Sequence, residues 1–285
     1  MPMNLDNREQ SAIELRDVSF AYEPSRPVVN DFNLGVSAGE FFVLLGPSGC
    51  GKTTVMDLIA GFVRPTGGTV RVGGKPIEKP GTDRVVVFQG DSSLLGWKNV
   101  VGNIEFGLSL ARVPKAERRS RTARALETVS LVGHESKYPR ELSGGMKQRV
   151  QIARALVSDA SVMLMDEPFG ALDAMTRTAL QDEVSRIWEQ NSRTVLFITH
   201  DISEAIILAD RIGVMGKSPA GKLISVVDND LPRPRSRGTE GFAHKYSEIE
   251  AALSQSFLEP SDDKDSMEGA LSADHSEPLD PSRSA

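Results

Sequence analysis

The chain has 285 residues, of which 39% are apolar, and this excludes a chain that is disordered throughout. Residues 261–285 contain seven acids and two bases, a net charge of −5, which leaves −1 for residues 1–260 out of the total of −6. A near-neutral body argues against a dedicated nucleic-acid-binding protein, and the single cysteine excludes an internal disulfide and a cysteine-rich metal site.

The hydropathy pattern does not predict a membrane span. The longest apolar runs, such as "FFVLL" and "TVLFI", are much shorter than the roughly 18 residues that a spanning helix needs. The N-terminal segment "MPMNLDNREQ" also lacks the apolar stretch of a signal peptide. We therefore expect the chain itself to be cytoplasmic.

Strand-like and helix-like segments alternate along the body. "IELRDVSFAYE" alternates with period two, which predicts a half-buried strand near a sheet edge. "FFVLLG", "VMLMDEP" and "TVLFITHD" are short continuous apolar runs, typical of parallel strands that are buried on both faces. Because ligands of open α/β sheets bind beyond the carboxyl ends of the strands, we expect the polar residues that follow these three runs to converge on one site.

The segment "GPSGCGKTT", residues 46–54, has the GxxxxGK[ST] spacing of a phosphate-binding loop, between a predicted strand and a predicted helix. The Lys would reach the β and γ phosphates, and the following Thr could ligate Mg²⁺. The cysteine is interpreted as a small neighbour of the phosphates, since no His or Asn partner for thiol chemistry is evident nearby. The predicted phosphate-contacting residues are Gly46, Pro47, Ser48, Gly49, Cys50, Gly51, Lys52, Thr53 and Thr54.

The next strand-like run, "RVVVFQ", ends at Gln89, whose amide could bind Mg²⁺ or an attacking water. It leads into residues 100–135, which are mostly helix formers and predict a helical insertion. Six basic residues between Arg112 and Arg124 could suggest nucleic acid, but a solvated helix face is favoured by the near-neutral body.

A second anion site is predicted at "LSGGMKQR", residues 142–149. Ser143, Gly144 and Gly145 open a predicted helix whose free N–H groups and positive dipole end suit an anion. The phosphate loop already serves one nucleotide, so this second site requires an explanation.

Two further segments carry polar groups at strand ends. Asp166 could hold Mg²⁺, and Glu167 is a candidate general base that orients and deprotonates an attacking water. His200 follows a buried run and could contact a γ phosphate, although a lone His is often structural. The C-terminal segment has few apolar residues and much Ser, Asp and Pro, which predicts a disordered tail, with an acidic interaction tail as the alternative.

These features resemble the ATP-binding cassette ATPases in family order over about residues 12–258. The matching elements are Tyr22, the phosphate loop, Gln89, the signature "LSGGM", "MLMDEP", the "ALD" turn at 171–173 and His200. Met146 replaces the usual Gln after the signature glycines. This variant resembles importers of the nitrate, taurine and aliphatic sulfonate branch. Three further segments resemble the same branch: "LLGWKNVVGNIEFGL", "DEPFGALDAMTR" and "LPRPR". Gly96 departs from that branch, where a Pro is common.

The resemblance implies an α/β fold: a P-loop NTPase core with a mostly parallel sheet, an N-terminal antiparallel β portion and a helical subdomain at about 92–158. An acidic tail, 259–285, would follow the ATPase domain. The implied partners are a second ATPase subunit in a head-to-tail dimer, transmembrane permease subunits and, indirectly, a solute-binding protein. The chain would lie peripherally on the cytoplasmic side of the membrane.

In that family each ATP lies between the phosphate loop of one subunit and the signature of the other, which would explain the second anion site. The resemblance implies that Tyr22 stacks on adenine and that the signature residues Ser143, Gly144, Gly145 and Met146 serve the partner's nucleotide. It also places Asp173, in the "ALD" turn, among the nucleotide-binding residues. It implies that Thr53, Gln89 and Asp166 serve Mg²⁺, and that Glu167 and His200 promote hydrolysis.

Two alternatives stay open on sequence grounds. One is a soluble cassette ATPase, not coupled to transport, that works on DNA or ribosomes; such relatives have a very long coiled coil or two cassettes in one chain. The other is a phosphotransferase such as a small-molecule kinase, which would share the phosphate loop but would have no use for the signature.

Overall fold

The computed structural model describes residues 11–90, 93–191, 193–216 and 220–255, which form two β-sheets surrounded by helices. The predicted acidic tail lies outside the described residues. The strands in the described part are β1 (Ser11–Glu23), β2 (Arg26–Ser37), β3 (Phe41–Leu45), β4 (Gly67–Val72), β5 (Lys75–Pro76), β6 (Arg84–Val87), β7 (Val162–Asp166), β8 (Thr194–Thr199), β9 (Arg211–Gly216) and β10 (Lys222–Asp228).

The first sheet is antiparallel, with strand order β2-β1-β4-β5. The second has the order β10-β9-β3-β8-β7-β6, in which β10 is antiparallel to β9 and the other strands are parallel. The predicted antiparallel N-terminal portion and mostly parallel core sheet are therefore confirmed. Strand β1 lies one position in from the edge of its sheet and pairs on both sides.

Helices connect and cover the sheets. They are α1 (Lys52–Ala60), α2 (Val100–Ile104), α3 (Phe106–Leu110), α4 (Lys115–Thr128), α5 (Gly144–Leu156), α6 (Ala174–Asn191), α7 (Ile202–Leu208) and α8 (Phe242–Gln255). Helices α2 to α5 lie in the connection from β6 to β7, so the predicted helical insertion is present. No helix in the described ranges combines the length and the apolar character that crossing a bilayer requires.

Successive side chains of the central strands point to opposite faces of the sheet, so they contribute to two hydrophobic cores. In β3, Phe41, Val43 and Leu45 face one core, and Phe42 and Leu44 face the other. The first core is shared with the insertion and with α5 to α8, and the second with α1 and the antiparallel sheet. Every residue of β3, β7 and β8 is buried, as expected for strands covered on both faces. Because these strands are parallel neighbours, their carboxyl ends meet at one edge.

Two glycines, one near the start of β4 and one just after its end, allow a matched test of how β4 packs on β1. Gly68 has a φ of +77°, and a Cβ there would lie 2.3 Å from the carbonyl oxygen of Asp17. Gly73 has a φ of +56°, and a Cβ there would meet nothing within 4 Å. We expect Gly73→Ala to cost about 1–2 kcal/mol from the left-handed backbone alone. Gly68→Ala should cost a further 1–3 kcal/mol, roughly, from the clash. Urea denaturation measures both free energies of unfolding, and equal losses would contradict the packing of β4 on β1.

Candidate functional site

The phosphate loop runs from the buried end of β3 into α1. Gly51 caps α1 with a φ of 97°, a left-handed conformation that glycine adopts at low cost. Lys52 is only 6% exposed, and its Nζ donates to the carbonyl oxygens of Gly46 at 2.8 Å and Pro47 at 2.9 Å. The lysine ammonium is therefore held inside the curl of the loop, where it can exchange these carbonyls for phosphate oxygens.

Helix α1 and strand β7 meet next to this loop. The hydroxyl of Thr53 donates to Asp166 Oδ2 at 2.9 Å, and Asp166 is 4% exposed. Burial raises the pKa of the Asp166 carboxyl; the Thr53 hydrogen bond opposes this effect, and the nearby charge of Glu167 adds to it. A hydroxyl and a carboxylate oxygen this close form the kind of hard-oxygen donor set that Mg²⁺ prefers. These residues therefore fit a bound Mg²⁺.

Glu167 follows β7 in an unusual backbone conformation. Its φ is 42°, in the left-handed region that non-glycine residues seldom occupy. Its N–H donates to the carbonyl of Ile198 at 3.0 Å, and its own carbonyl accepts from the N–H of Gly170 at 3.1 Å. Such strain costs about 1–3 kcal/mol and persists where surrounding contacts fix it, often at functional sites. Adjacent residues Asp166 and Glu167 thus both reach the edge of the sheet where β3, β7 and β8 end.

The carboxylate of Glu167 contacts two other predicted site residues. Gln89 Nε2 donates to Glu167 Oε2 at 3.1 Å, and His200 Nδ1 lies 3.1 Å from Glu167 Oε1. The Glu167 side chain is 16% exposed and that of His200 is 60% exposed. The structure therefore brings together Gln89, Glu167 and His200 from three separate strand ends, with the His200 side chain exposed.

The signature lies at the start of α5 and forms a separate, open surface. Ser143 is the N-cap of α5, and its hydroxyl accepts from the N–H of Met146 at 3.3 Å. A Cβ on Gly144 would meet nothing within 4 Å, whereas one on Gly145 would lie 3.3 Å from the Leu172 side chain. In the described part of the chain, no hydrogen bond joins Ser143 to the phosphate loop.

The remaining predicted residues are peripheral to the cluster around Glu167. Tyr22 is 64% exposed and packs edge-on against Phe20, with ring centroids 4.8 Å apart. Asp173 accepts the N–H of Thr176 at 3.0 Å, so it caps the start of α6, and this hydrogen bond lowers the pKa of its carboxyl. The partly buried side chain of Met146 packs against the first core.

Sequence reasoning missed a buried polar network between α5 and the segment on both sides of Gln89. Gln148 donates to the carbonyl of Phe88 at 3.4 Å, and Gln151 donates to the carbonyl of Gly90 and accepts from Ser93 at 2.6 Å. Arg154 donates to the Ser93 hydroxyl at 2.7 Å. These α5 residues recur every three positions on an otherwise apolar face, a pattern that could have indicated them. The network ties the helix that begins at the signature to the segment that carries Gln89.

A second missed group lies behind His200. Glu204 is 7% exposed, accepts from the Thr199 hydroxyl at 2.6 Å and from Gln181 Nε2 at 3.2 Å, and lies 3.9 Å from Arg177 Nε. Burial raises the pKa of Glu204. The Thr199 hydroxyl also accepts the N–H of Asp201 at 3.0 Å, so this group holds the turn that contains His200 against α6.

Three groups at this edge of the sheet have distinct chemical roles. The Lys52 ammonium can bind phosphate, and the oxygens of Thr53 and Asp166 can bind a divalent cation. The third group is the Glu167 carboxylate, which an amide and an imidazole hold in place. A carboxylate held in this way can accept a proton from a water molecule. The arrangement suits attack of water on a terminal phosphate.

This chain is similar to known ATP-binding proteins of transporters. A family model described as ABC transporter matches residues 29–170. The taurine import ATP-binding protein TauB of Pseudomonas putida is 44% identical over 234 residues, which cover 82% of this chain and 88% of that protein. The nitrate import ATP-binding protein NrtD of Synechococcus elongatus is 48% identical over 223 residues, which cover 78% and 81%.

Solved structures are similar as well. A dimeric ATP-binding cassette in a post-hydrolysis state, bound to ADP and Pi, aligns with a TM-score of 0.69 at 28% identity and covers 79% of this chain and 99% of its own. A dimeric structure of a bacterial cassette of this kind aligns with a TM-score of 0.70, with the same identity and coverage.

Proposed function

The chain belongs to the ABC transporter family as an ATP-hydrolysing subunit, and we propose that it powers the import of a small solute through a separate membrane permease. The observation that carries the hydrolytic step of the proposal is the contact of Gln89 and His200 with the two carboxylate oxygens of Glu167. The names of the relatives support import as the process that this hydrolysis drives.

In the proposed reaction, Lys52 and the backbone N–H groups of the loop 46–54, all but that of Pro47, which has none, hold the β and γ phosphates, and Tyr22 stacks on adenine. Glu167 accepts a proton from the attacking water, and Gln89 and His200 orient its carboxylate and the terminal phosphate. Thr53, Asp166 and Gln89 would hold Mg²⁺, which when bound neutralises charge on the phosphates. The products are ADP and inorganic phosphate.

The proposed partner at the nucleotide is a second ATPase subunit, arranged head to tail. Gly144 has open space around its absent Cβ, and its φ lies outside the positive range, so this chain's own packing does not require glycine there. A glycine and an exposed Ser143 at a helix start leave room for the phosphates of a neighbour's ATP. Met146, three residues after Ser143, would lie near the same proposed interface. The structures of dimeric cassettes support such pairing.

We propose that the transported solute is nitrate, taurine or an aliphatic sulfonate, delivered to the permease by a solute-binding protein. The chain would lie on the cytoplasmic side of the membrane, attached through the permease. The test is uptake of labelled taurine, nitrate and an alkanesulfonate by cells of the source organism that lack this chain. We expect uptake of one of the three to be lost and to return with the intact chain but not with Glu167→Gln. Unchanged uptake of all three would contradict the proposed solute class.

The importer assignment has a separate test. A tagged chain should be recovered from solubilised membranes in complex with a multispanning permease. Recovery in the soluble fraction alone, with no permease attached, would contradict coupling to transport even if the chain hydrolyses ATP.

The proposed ATPase domain spans 12–258, with its helical subdomain at about 92–158, and the acidic tail should contribute no core. Deleting residues 261–285 is expected to leave the melting temperature and the ATPase rate unchanged. As a matched control, a deletion that begins at the fully buried Ile249 removes half of α8 and should lower the melting temperature. A large drop on deleting 261–285 would show that the tail packs on the domain.

A further inference from the structure

A basic cavity lies at the edge of the sheet opposite the nucleotide site. Its volume is about 500 Å³, within the range of small-molecule sites. Asp159, shortly before β7, and Arg193, immediately before β8, lie at the amino ends of these strands, whereas Asp166 and His200 lie at their carboxyl ends. The cavity is therefore separate from the site described above.

Four parts of the fold form its walls. Arg121 and Arg124 come from α4 of the helical insertion, Asp159 from the connection between α5 and β7, and Arg186 from α6. With Arg193, four guanidinium groups and one carboxylate line the cavity. The lining is thus strongly cationic although residues 1–260 are nearly neutral, and it includes part of the basic run that the proposed ATPase function does not use.

Two of the four arginines already have carboxylate partners. Arg121 pairs with Glu117 at 2.5 Å and with Asp159 at 2.6 Å, and it also donates to the carbonyl of Val157 at 3.3 Å. Arg186 pairs with Glu183 at 2.5 Å. These pairs fix the walls and leave few guanidinium donors of Arg121 and Arg186 for a ligand.

The guanidinium groups of Arg124 and Arg193 have hydrogen-bond donors left for a ligand. Within the described ranges, neither Arg124 nor Arg193 forms an ion pair. Arg193 donates one long hydrogen bond, 3.5 Å, to the carbonyl of Leu156. Burial lowers the pKa of Arg193; the charge of Asp159 partly opposes this, and the charge of Arg121 adds to it. A partly buried guanidinium next to another cation is stabilised by an anion.

We propose that this cavity binds a small polyanion carrying phosphate or carboxylate groups, held by the guanidinium groups of Arg124 and Arg193. Arginine suits this role because its planar fork pairs with either group through two hydrogen bonds. Gln190 and Thr128 add neutral donors to the lining. Because Arg124 belongs to the insertion and Arg193 directly precedes strand β8 of the core sheet, the bound anion joins the two parts of the domain and stabilises the folded chain.

The test uses citrate and pyrophosphate as probes, in a Lys52→Ala background that impairs the phosphate loop. Each probe should raise the melting temperature and bind in isothermal titration. In the Arg124→Gln/Arg193→Gln double variant, the affinity for both probes should fall at least tenfold. Arg119→Gln, which removes an exposed base of α4 outside the cavity, is the matched control and should leave the affinity unchanged.

Two single variants, Arg193→Lys and Arg124→Gln, test the arginines separately. Arg193→Lys keeps the charge but loses the fork, so it should bind more weakly than the Lys52→Ala parent and more tightly than the double variant. Arg124→Gln alone, which removes an exposed side chain, tests the cavity if the double variant is unstable. Absence of binding in the Lys52→Ala parent would overturn the proposal. An equal loss of affinity in Arg119→Gln and Arg124→Gln would also overturn it, because binding would then follow overall charge.

Discussion

Replacing Glu167 with Gln is expected to lower the ATPase turnover by about 10²- to 10⁴-fold, the range for loss of a general base, while ATP still binds. The amide is nearly the same size as the carboxylate and keeps an acceptor for Gln89, which lies 3.1 Å from Glu167 Oε2. It cannot accept a proton from water at neutral pH. Steady-state phosphate release and ATP titration measure the two effects separately.

The matched control for this prediction is Glu127→Gln, an exposed carboxylate near the end of α4. It changes the net charge by the same amount and should leave turnover unchanged. Near-normal hydrolysis by Glu167→Gln would remove Glu167 from the role of base, and the left-handed backbone at that residue would then need another explanation.

Replacing Lys52 with Ala is expected to weaken ATP binding by about 10- to 100-fold. A hydrogen bond to a charged group contributes about 1.5–3 kcal/mol, and each 1.4 kcal/mol is a factor of ten in affinity. The lysine ammonium is already desolvated and held 2.8 Å from the Gly46 carbonyl, so little further ordering opposes its contact with phosphate. Titration with a fluorescent ATP analogue measures the dissociation constant.

Lys75→Ala, which removes an exposed base of β5, is the control for a change of one positive charge and should leave the dissociation constant unchanged. A thermal melt confirms that both variants are folded. An unchanged dissociation constant in folded Lys52→Ala would show that the loop binds phosphate without its lysine.

The sequence predicted the strands and loops of the site because local patterns encode them. The three runs that became β3, β7 and β8 are continuous and apolar, and the glycine spacing before Lys52 is specific to a phosphate loop. Parallel pairing then required their polar ends to converge. The contact between Thr53 and Asp166, 113 positions apart in the chain, follows from that topology.

Other features depend on packing between distant segments and have no local pattern. The left-handed φ of Glu167 occurs where its N–H donates to the carbonyl of Ile198 in the neighbouring strand β8. The contacts of Gln148 and Gln151 with the carbonyls of Phe88 and Gly90 depend on how the insertion folds back onto the core. The sequence likewise did not show which arginines of the basic run form ion pairs and which line a cavity. That depends on how α4 lies against α6 and the amino ends of β7 and β8.

The central claim is that the signature of one chain completes the nucleotide site of another. Its most direct test uses two double variants, Glu167→Gln/Lys52→Ala and Glu167→Gln/Ser143→Glu, under conditions in which Glu167→Gln alone dimerises with ATP. The first damages the phosphate loop, and the second places a negative charge where the γ phosphate should contact the signature. Each double variant alone should remain monomeric.

Mixed with ATP, the two chains can form one intact site, in which the undamaged phosphate loop of one faces the undamaged signature of the other. Size-exclusion chromatography with differently tagged chains should therefore detect a mixed dimer that holds a single ATP. If the signature acted within its own chain, every molecule in the mixture would still carry one damaged half. Absence of the mixed dimer, while Glu167→Gln alone dimerises, would contradict the account.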